Sequence, residues 1–411
     1  MLIVFSSIAE AEDPPEFLFQ WGTQGNAEGQ LITPHGIVVS VTGDVYVADT
    51  GNNRIQKFSG DGTFIRAWGA FGVGAGQFNH PHGIAADRAG NVYVGETGNH
   101  RIQKFTTDGT FITTWGTQGS GDGQFLHLHD LAVDAVGNVY ATDRDTHRVQ
   151  RFTSDGTFVT KWGSFGVTNG QFNQPNGVAV DEDGNVYVAD TSSRIQKFTS
   201  NGTFLLQWGT PGAGDGQLTF PRGMSRDGLG NVFVADRDNQ RMQMFSTGGT
   251  FIAKWGSFGA GPGEFNSPYA VAADANGNVY VADSSNNRIQ KFMFVHAGRV
   301  PDGSGIPGTP LTVNKATGND VTLTWGPSCL TTDVDYEVYE GTLGDFTSHR
   351  PKFCTTGGAT TITFEPAVGG TYYLVVPRSA TREGSYGTDG NGIERPQGVA
   401  RCLPQAIAGC Q

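Results

Sequence analysis

The sequence has no cysteine before Cys329, and its four cysteines, Cys329, Cys354, Cys402 and Cys410, lie together near the C-terminus. A thiol nucleophile or a cysteine-ligated metal is therefore excluded for the long N-terminal part. The cysteines form no CxxC pair, which disfavours a structural zinc site. An even number in one short region predicts two disulfides and an oxidising compartment, with four free thiols as the alternative. Three pairings are open, and we expect neighbours to pair, 329 with 354 and 402 with 410.

Charge and long apolar runs are also scarce. Charged residues make up only 16% of the chain, and 27 basic against 39 acidic side chains leave a net charge of −12. Such a chain is a poor counter-ion for phosphate backbones, so we expect no nucleic-acid partner. No apolar run approaches the roughly 18 residues of a membrane-spanning helix, so we expect no membrane span. We expect the protein to be a monomer.

Several catalytic signatures are missing from the sequence. It contains no GxSxG elbow, no P-loop and no HExxH motif, which excludes the hydrolases, nucleotidases and metalloproteases that depend on them. No stretch keeps a helical period over three turns, so the chain is predicted to fold from strands.

Glycine is abundant, with 61 residues, and the sequence repeats itself. A Trp-Gly pair recurs at positions 21, 68, 115, 162, 208 and 255, a spacing of 47 residues with one of 46. Each unit has four short apolar stretches bounded by Gly, Asp or Asn turns, which predicts four strands. In the fourth unit these are residues 177–180, 185–189, 194–198 and 203–208. Four-stranded units at this spacing predict a propeller, here with six blades.

The two ends of the repeat region predict how the ring closes. The sixth unit, residues 269–295, supplies three strands and lacks the outer strand, whose sequence pattern stands instead before the first unit, at residues 16–22. We therefore expect the N-terminal strand to pair with the third strand of the last blade, with residue 20 near residue 290. This closure covers two strand edges that would otherwise be exposed.

The recurring motif PxGIAVDxxGNVYVADTGNNRIQKF resembles the NHL-repeat family of six-bladed propellers. Residues 45–58, VYVADTGNNRIQKF, match it almost residue for residue. The resemblance covers residues 16–295 and implies an all-β, six-bladed propeller.

Outside the repeats the sequence predicts further segments. Residues 296–310 are a Pro/Gly-rich linker. The strand-like stretches and Trp325 within 311–395 resemble a fibronectin type III domain, a small β-sandwich, and 396–411 is expected to be a disulfide-pinned tail. Residues 1–15 are apolar up to Ile8 and carry Ala9-Glu10-Ala11, which is typical of part of a signal peptide. We therefore expect a secreted protein, extracellular or periplasmic.

One position varies between otherwise similar units, so folding alone does not dictate its residue. It follows the proline at the start of each inner strand (Leu128 replaces the proline in the third unit) and is expected to line one mouth of the central channel. We name these six candidate ligand-binding residues the mouth ring. The mouth ring is His35, His82, His129, Asn176, Arg222 and Tyr269.

The three histidines of the mouth ring have two interpretations. Neutral imidazoles are good zinc ligands, and three of them with an open fourth position is the stoichiometry of a catalytic site. The set is similar by residue type to the channel zinc site of the NHL-type peptidylglycine amidating lyase, although no matched motif transfers a catalytic role. Alternatively, the histidines satisfy loop carbonyls at a wet channel mouth. Apart from this zinc, no cofactor is predicted.

Two functions are therefore carried forward. The leading hypothesis is a secreted, non-enzymatic binding or scaffold protein that presents a protein, peptide or glycan site at the mouth. The alternative is a metal-dependent lyase or hydrolase whose channel metal is held by His35, His82 and His129. The repeated Asp and Arg of the VADTGNNR turns, such as Asp49 and Arg54, are interpreted as structural, because they recur in almost every blade.

Overall fold

The computed structural model describes residues 14–228, 230–274 and 277–294, and beyond them the backbone of six strands between residues 312 and 378. The chain divides into two compact units, Met1–Phe294 and Val295–Gln411. Within the described residues no helix has the length and apolar character needed to cross a membrane.

The first unit is an all-β, six-bladed propeller, as predicted. Each blade is an antiparallel sheet of four short strands that run in order from the channel outwards. In blades 1 to 3 the strands are Pro34–Val39, Val45–Asp49, Arg54–Phe58, Phe64–Trp68; Pro81–Ala86, Val92–Glu96, Arg101–Phe105, Phe111–Trp115; Leu128–Val133, Val139–Asp143, Arg148–Phe152, Phe158–Trp162. In blades 4 to 6 they are Pro175–Val180, Val186–Asp190, Arg194–Phe198, Phe204–Trp208; Pro221–Arg226, Val232–Asp236, Arg241–Phe245, Phe251–Trp255; Pro268–Ala273, Asn278–Asp283, Arg288–Met293, Glu16–Trp21.

Shorter elements lie in the loops at the mouth end. A parallel pair of two-residue strands precedes blade 5, and three single-turn 3₁₀ helices follow second strands. These elements are Thr210–Pro211, Gln217–Leu218, Thr50–Asn52, Arg237–Asn239 and Ser284–Asn286.

The ring closes through the N-terminal strand. Glu16–Trp21 forms the outer strand of blade 6 and pairs antiparallel with Arg288–Met293. Phe19 lies opposite Lys291 in this register. The predicted closure is therefore confirmed, and two distant parts of the chain share one sheet.

Trp21 occupies the same environment as the tryptophans that end the other blades. Its ring centroid lies 5.7 Å from that of Phe58 in blade 1 and 6.1 Å from that of Tyr280 in blade 6. It also covers the turn at Gly62, whose φ is +81° and where an added Cβ would lie 3.0 Å from the indole ring. The turn therefore needs glycine both for its left-handed backbone and for the close approach of the ring.

The hydrophobic cores lie between neighbouring blades rather than within one blade. Tyr46 and Ala48 of blade 1, for example, pack against Ile84 and Val94 of blade 2. The second strand of each blade is buried along its whole length, as in Val45–Asp49, because both of its faces meet another sheet. A single blade could not bury these two apolar faces, so stacking around the axis stabilises all six together.

The inner strands of adjacent blades approach very closely at the channel. A Cβ added to Gly36 would lie 2.3 Å from the carbonyl oxygen of His82, and one added to Gly177 would lie 2.2 Å from that of Arg222. Glycine in the Pro-x-Gly motif therefore allows the strands to meet. Blade 3 has Asp130 at this position and blade 6 has Ala270.

The described residues of the second unit form six strands in two three-stranded antiparallel sheets. Four of them coincide with predicted strands. In sheet order they are Thr312–Lys315, Val321–Thr324 and Thr361–Phe364, and Arg350–Phe353, Asp335–Thr342 and Thr371–Arg378. The fibronectin type III-like sandwich stays a prediction. The predicted linker, the tail, all but two residues of the signal segment and the four cysteines lie outside the described residues.

Candidate functional site

The second residues of the six inner strands, which form the mouth ring, lie at one end of the channel. The imidazole centroids of His35 and His82 are 4.6 Å apart, and those of His82 and His129 are 4.3 Å apart. Tyr269 joins them from blade 6, which adjoins blade 1, with its ring centroid 3.8 Å from that of His35 and the two rings stacked. Arg222 reaches His129 with a 2.5 Å hydrogen bond. The structure thus brings the mouth ring together, while its role in binding stays a prediction.

Part of the mouth ring links neighbouring blades through backbone carbonyls. Nδ1 of His82 lies 2.6 Å from the carbonyl oxygen of His129, and Nδ1 of His129 lies 3.1 Å from that of Asn176. The Asn176 side-chain amide donates to the carbonyl of Pro221 at 3.0 Å. A carbonyl only accepts hydrogen bonds, so both imidazoles carry a proton on Nδ1. These contacts fit the interpretation in which histidine satisfies loop carbonyls.

This tautomer leaves Nε2 of both histidines as an acceptor. The hydroxyl of Tyr269 lies 2.8 Å from Nε2 of His82, and Arg222 Nη1 donates to Nε2 of His129. Burial lowers the pKa of His82 and of His129 well below the usual value, and the charge of Arg222 lowers both further. The two imidazoles are therefore neutral acceptors at neutral pH.

His35 breaks the pattern of its two neighbours. Its Nδ1 is buried, and no described residue forms a hydrogen bond with it. Burial, and next the charge of Arg222, lower the pKa of His35 to about 3. His35 is therefore neutral and is held by stacking on Tyr269 rather than by a hydrogen bond.

Arg222 lies at the centre of the aromatic part of the site. Its guanidinium sits 4.6 Å from the ring centroid of Phe220 and 4.8 Å from that of Tyr269. Burial lowers the pKa of Arg222 to about 10, so the group still carries its charge at neutral pH. Burial of the surrounding imidazoles, together with the charge of Arg222, holds them in their neutral form.

Two further arginines reach the mouth from the turns between second and third strands. Arg237 lies 5.7 Å from the ring centroid of Phe220, and Arg144 donates to Gln174 at 3.1 Å. Both act electrostatically on Arg222. The sequence analysis missed these residues, although a signal was present: blades 3 and 5 read Asp-Arg-Asp where blade 1 reads Asp-Thr-Gly.

His127 is a further neighbour that the sequence analysis did not place in the site. Its ring lies 6.0 Å from that of His129, with nearly parallel planes. Its Nδ1 lies 3.6 Å from a carboxylate oxygen of Asp145. Burial lowers the pKa of His127, so it too is mainly neutral at neutral pH.

The repeated Asp-Arg pairs serve the fold. Asp49 is fully buried and accepts hydrogen bonds from Arg54 Nε at 2.7 Å, from Gln56 at 2.9 Å and from the backbone of Ile32 at 2.8 Å. Arg54 also donates to three carbonyls of the loop that leads into the blade. Equivalent contacts recur around the ring. They agree with the interpretation that these pairs are structural.

The channel below the mouth is narrow and lined by the inner strands of all six blades, with a cavity of about 190 Å³. Asp130 is a carboxyl group in this lining. It accepts hydrogen bonds from the backbone of Leu131 at 2.9 Å and of Val178 in the next blade at 3.1 Å. Burial nevertheless raises the pKa of Asp130 to about 7, so this group titrates near neutrality.

The zinc interpretation gains no support from these contacts. Within the described ranges, no group of three or more His, Cys, Asp or Glu residues is arranged to hold a metal ion. The Nε2 atoms of His82 and His129 face a hydroxyl and a guanidinium, and a cationic guanidinium beside the ligands opposes a second cation. Zinc binding by the three histidines stays a prediction.

Comparison with known proteins identifies the repeat. The NHL repeat family matches residues 31–58, 78–105, 125–152, 172–198 and 265–292. The propeller therefore carries NHL repeats. Protein lin-41 from Caenorhabditis elegans is 46% identical over 48 residues, which cover 12% of this chain and 4% of lin-41. The chain thus matches only a small part of that relative's length.

Solved structures share the fold at low sequence identity. A structural genomics protein of unknown function from Bacteroides thetaiotaomicron is 18% identical with a TM-score of 0.53, over 67% of this chain and 76% of that one. Virginiamycin B lyase from Staphylococcus aureus is 14% identical with a TM-score of 0.47, over 67% and 98% of the two chains. The first of these similarities concerns the fold alone, and neither carries an activity to this chain.

Proposed function

We propose that this NHL-repeat propeller is a secreted, non-enzymatic binding protein whose ligand docks at the channel mouth. The ligand is a protein, peptide or glycan, and the C-terminal unit, a fibronectin-like domain with two disulfides, serves as a spacer or adhesion module. The protein acts as a monomer. The observation that carries the proposal is the concentration of non-repeated side chains at one mouth of an otherwise repetitive molecule.

The contrast between repeated and non-repeated positions supports this site. The buried second strands and the Asp-Arg turns are nearly the same from blade to blade, because each has the same packing task. The mouth ring instead contains imidazole, amide, guanidinium and phenol groups. The close approach of the strands does not dictate these types, because it occurs at the next position of the motif, which is glycine in four blades. Variation at one end of a rigid scaffold is typical of a binding surface.

Exposed aromatic side chains on the same face support a macromolecular ligand. Phe71, Phe165 and Phe258 are each about 70% exposed. They lie in the loops that lead into blades 2, 4 and 6, and each loop ends at the mouth. The equivalent residues of the other three loops are Gln24, Gln118 and Pro211. Single exposed apolar residues need no explanation, but recurrence in every second blade does, and aromatic residues are enriched in protein interfaces.

A ligand selection on the full-length protein tests the proposal. Peptide-display libraries and glycan arrays are probed with the wild-type chain, and the affinity of each selected ligand is then measured for two variants. The mouth-face variant carries Phe71→Ser, Phe165→Ser and Phe258→Ser. We expect it to bind the selected ligands at least about tenfold more weakly, since a few buried aromatic anchors dominate binding energy.

A matched control removes apolar side chains elsewhere. Ile65, Ile112 and Leu205 lie on outer strands and are 45%, 44% and 45% exposed. Replacing these three with serine should leave the affinity unchanged. Ligands that bind the two triple variants and the wild type alike would contradict a site at the mouth.

A further inference from the structure

Three guanidinium groups converge on one side of the mouth, in a protein whose net charge is −12. Arg222 comes from the inner strand of blade 5, Arg237 from the turn that follows the second strand of the same blade, and Arg144 from the equivalent turn of blade 3. Arg222 and Arg237 both stack on Phe220, and both turn arginines act electrostatically on Arg222. Three basic side chains are therefore gathered at one place in a molecule that is acidic as a whole.

Two of the three charges in this cluster, those of Arg222 and Arg144, have no ion-pair partner in the described part of the chain. Arg222 is only 7% exposed, yet no described carboxylate lies within ion-pair distance of Arg222 or Arg144. Asp238 lies 3.5 Å from Arg237 at the rim. In addition, the Nε groups of Arg144, Arg222 and Arg237 are all buried and have no acceptor among the described residues. Burying a charge and three donors in this way is costly unless a partner arrives.

Elsewhere the same fold pairs the buried arginines of its Asp-Arg turns with carboxylates. Arg241 is 7% exposed, like Arg222, but its Nε lies 2.7 Å from a carboxylate oxygen of the buried Asp236. It also donates to three loop carbonyls. Arg288 repeats this arrangement with Asp283 at 2.7 Å. A buried arginine at the repeated position is therefore paired with a carboxylate, whereas Arg222, at a position that varies between blades, is not.

The other described carboxylates near the mouth lie beyond ion-pair distance of Arg222 and Arg144 and contact other groups. Asp145 lies beside His127 at 3.6 Å, and Asp130 accepts from two backbone N–H groups. The neutral imidazoles of the mouth ring accept hydrogen bonds from Arg222 and Tyr269 and leave the positive charge in place. Partly buried guanidinium groups with free Nε–H donors form paired, charge-assisted hydrogen bonds with the oxygens of carboxylates and phosphates.

We propose that Arg222, supported by Arg144 and Arg237, binds an oxyanionic group of the ligand, a carboxylate or a phosphate, at the propeller mouth. The proposal rests on the mouth being the binding site and specifies the chemistry that it recognises. The rings of Phe220 and Tyr269 lie 4.6 Å and 4.8 Å from the guanidinium and restrict its position. Nothing in the repeat itself requires these three arginines.

Thermal unfolding with small anions tests the proposal on the full-length protein. The melting temperature is measured at pH 7.5 and constant ionic strength in sodium chloride, sodium acetate and sodium phosphate. We expect acetate, phosphate or both to raise it saturably above its value in chloride, because a ligand that binds only the folded state stabilises it. A response to acetate alone assigns a carboxylate, and a response to phosphate alone assigns a phosphate.

Variants separate binding from folding. Arg222→Met should weaken the apparent affinity for the anion at least about tenfold, while its melting temperature in chloride stays at or above that of the wild type, because an unpaired buried charge is removed. Arg222→Lys keeps the positive charge but loses the planar, forked guanidinium, so the anion should raise its melting temperature less than that of the wild type. The control Arg66→Met, at an exposed outer strand, should respond as the wild type does.

Two results would overturn the inference: no difference between the anions and chloride in the wild type, or an unchanged response in Arg222→Met. This failure is distinct from failure of the proposed function. Selected ligands that need the mouth phenylalanines but carry no acidic group would keep the binding site and refute its anion chemistry.

Discussion

The closure of the propeller makes a quantitative prediction about Trp21. If the N-terminal strand is a full member of blade 6, Trp21→Ala should destabilise the protein as much as Trp68→Ala, the equivalent change in blade 1. Trp68 has matching neighbours, with ring centroids 5.9 Å from Phe105 and 6.2 Å from Tyr46. Both tryptophans are partly buried, so each change should cost about 3 kcal/mol, the lower end for a tryptophan truncation.

The assay is equilibrium unfolding of the full chain in guanidinium chloride, followed by circular dichroism, with hydrogen exchange of residues 288–293 as a local readout. Both variants should lower the midpoint by the same amount, and Trp21→Ala should increase exchange in the strand that pairs with residues 16–21. Deletion of residues 16–22 should be far more damaging than deletion of residues 1–13. Two results would refute the closure. One is a loss of stability in Trp68→Ala with none in Trp21→Ala, and the other is an equal melting temperature for the two deletions.

Four other outcomes are expected. The folded-state pKa values of His35, His82 and His129 lie below the unfolded value of about 6.5, so the free energy of unfolding should fall as the pH drops below that value. The fall should reach at most about 1.4 kcal/mol per pH unit for each histidine. A variant with all three histidines replaced by asparagine should show a weaker dependence of melting temperature on pH between pH 7 and 4.5. The raised pKa of Asp130 has the opposite effect: stability is lost as pH rises from about 4 to 7, so Asp130→Asn should raise the melting temperature at pH 8 but not at pH 4. Gly36→Ala should cost about 1–3 kcal/mol by denaturant unfolding, because its Cβ would meet the carbonyl of His82, whereas Gly248→Ala, whose nearest neighbour atom is 3.7 Å away, should be near neutral. Elemental analysis of protein purified without added metal should find well under one zinc per chain, and a stoichiometric zinc that is lost in His82→Ala would instead support the metal-dependent alternative.

The propeller was predictable because its information is repeated along the chain. A fixed spacing of Trp-Gly pairs, with four strand-like stretches between them, defines both the blade and the number of blades. The missing outer strand of the sixth unit, together with the spare strand at residues 16–22, was enough to predict the closure. Each of these inferences needs only strand periodicity and the requirement to bury two faces of every sheet.

The mouth was predictable in position but not in chemistry. Because the residue after the inner-strand proline varies, the six members of the mouth ring could be identified. Their contacts depend on side-chain direction, which spacing does not encode: His82 and His129 turn Nδ1 to carbonyls of the next blade, while His35 stacks on Tyr269. The same residue type therefore has two environments within one ring.

The arginines of the turns were missed for a different reason. They lie in the turn after the second strand, where an Asp and an Arg recur in almost every blade and make the turn appear uniform. Arg144 and Arg237 are departures from the repeat in the same sense as Arg222. A comparison of every position across the six units would have found them, since a charged residue replaces the small Thr or Ser found there in the other units.

The most direct test of the mouth geometry is ¹⁵N NMR of the histidine side chains in the full-length protein at pH 5. The closed network predicts that His82 and His129 are still neutral there, with the proton on Nδ1 and Nε2 unprotonated, although an exposed imidazole would be mostly charged. Imidazolium signals that titrate near pH 6.5, or neutral rings protonated on Nε2, would contradict the arrangement in which these side chains join the blades around Arg222 and Tyr269.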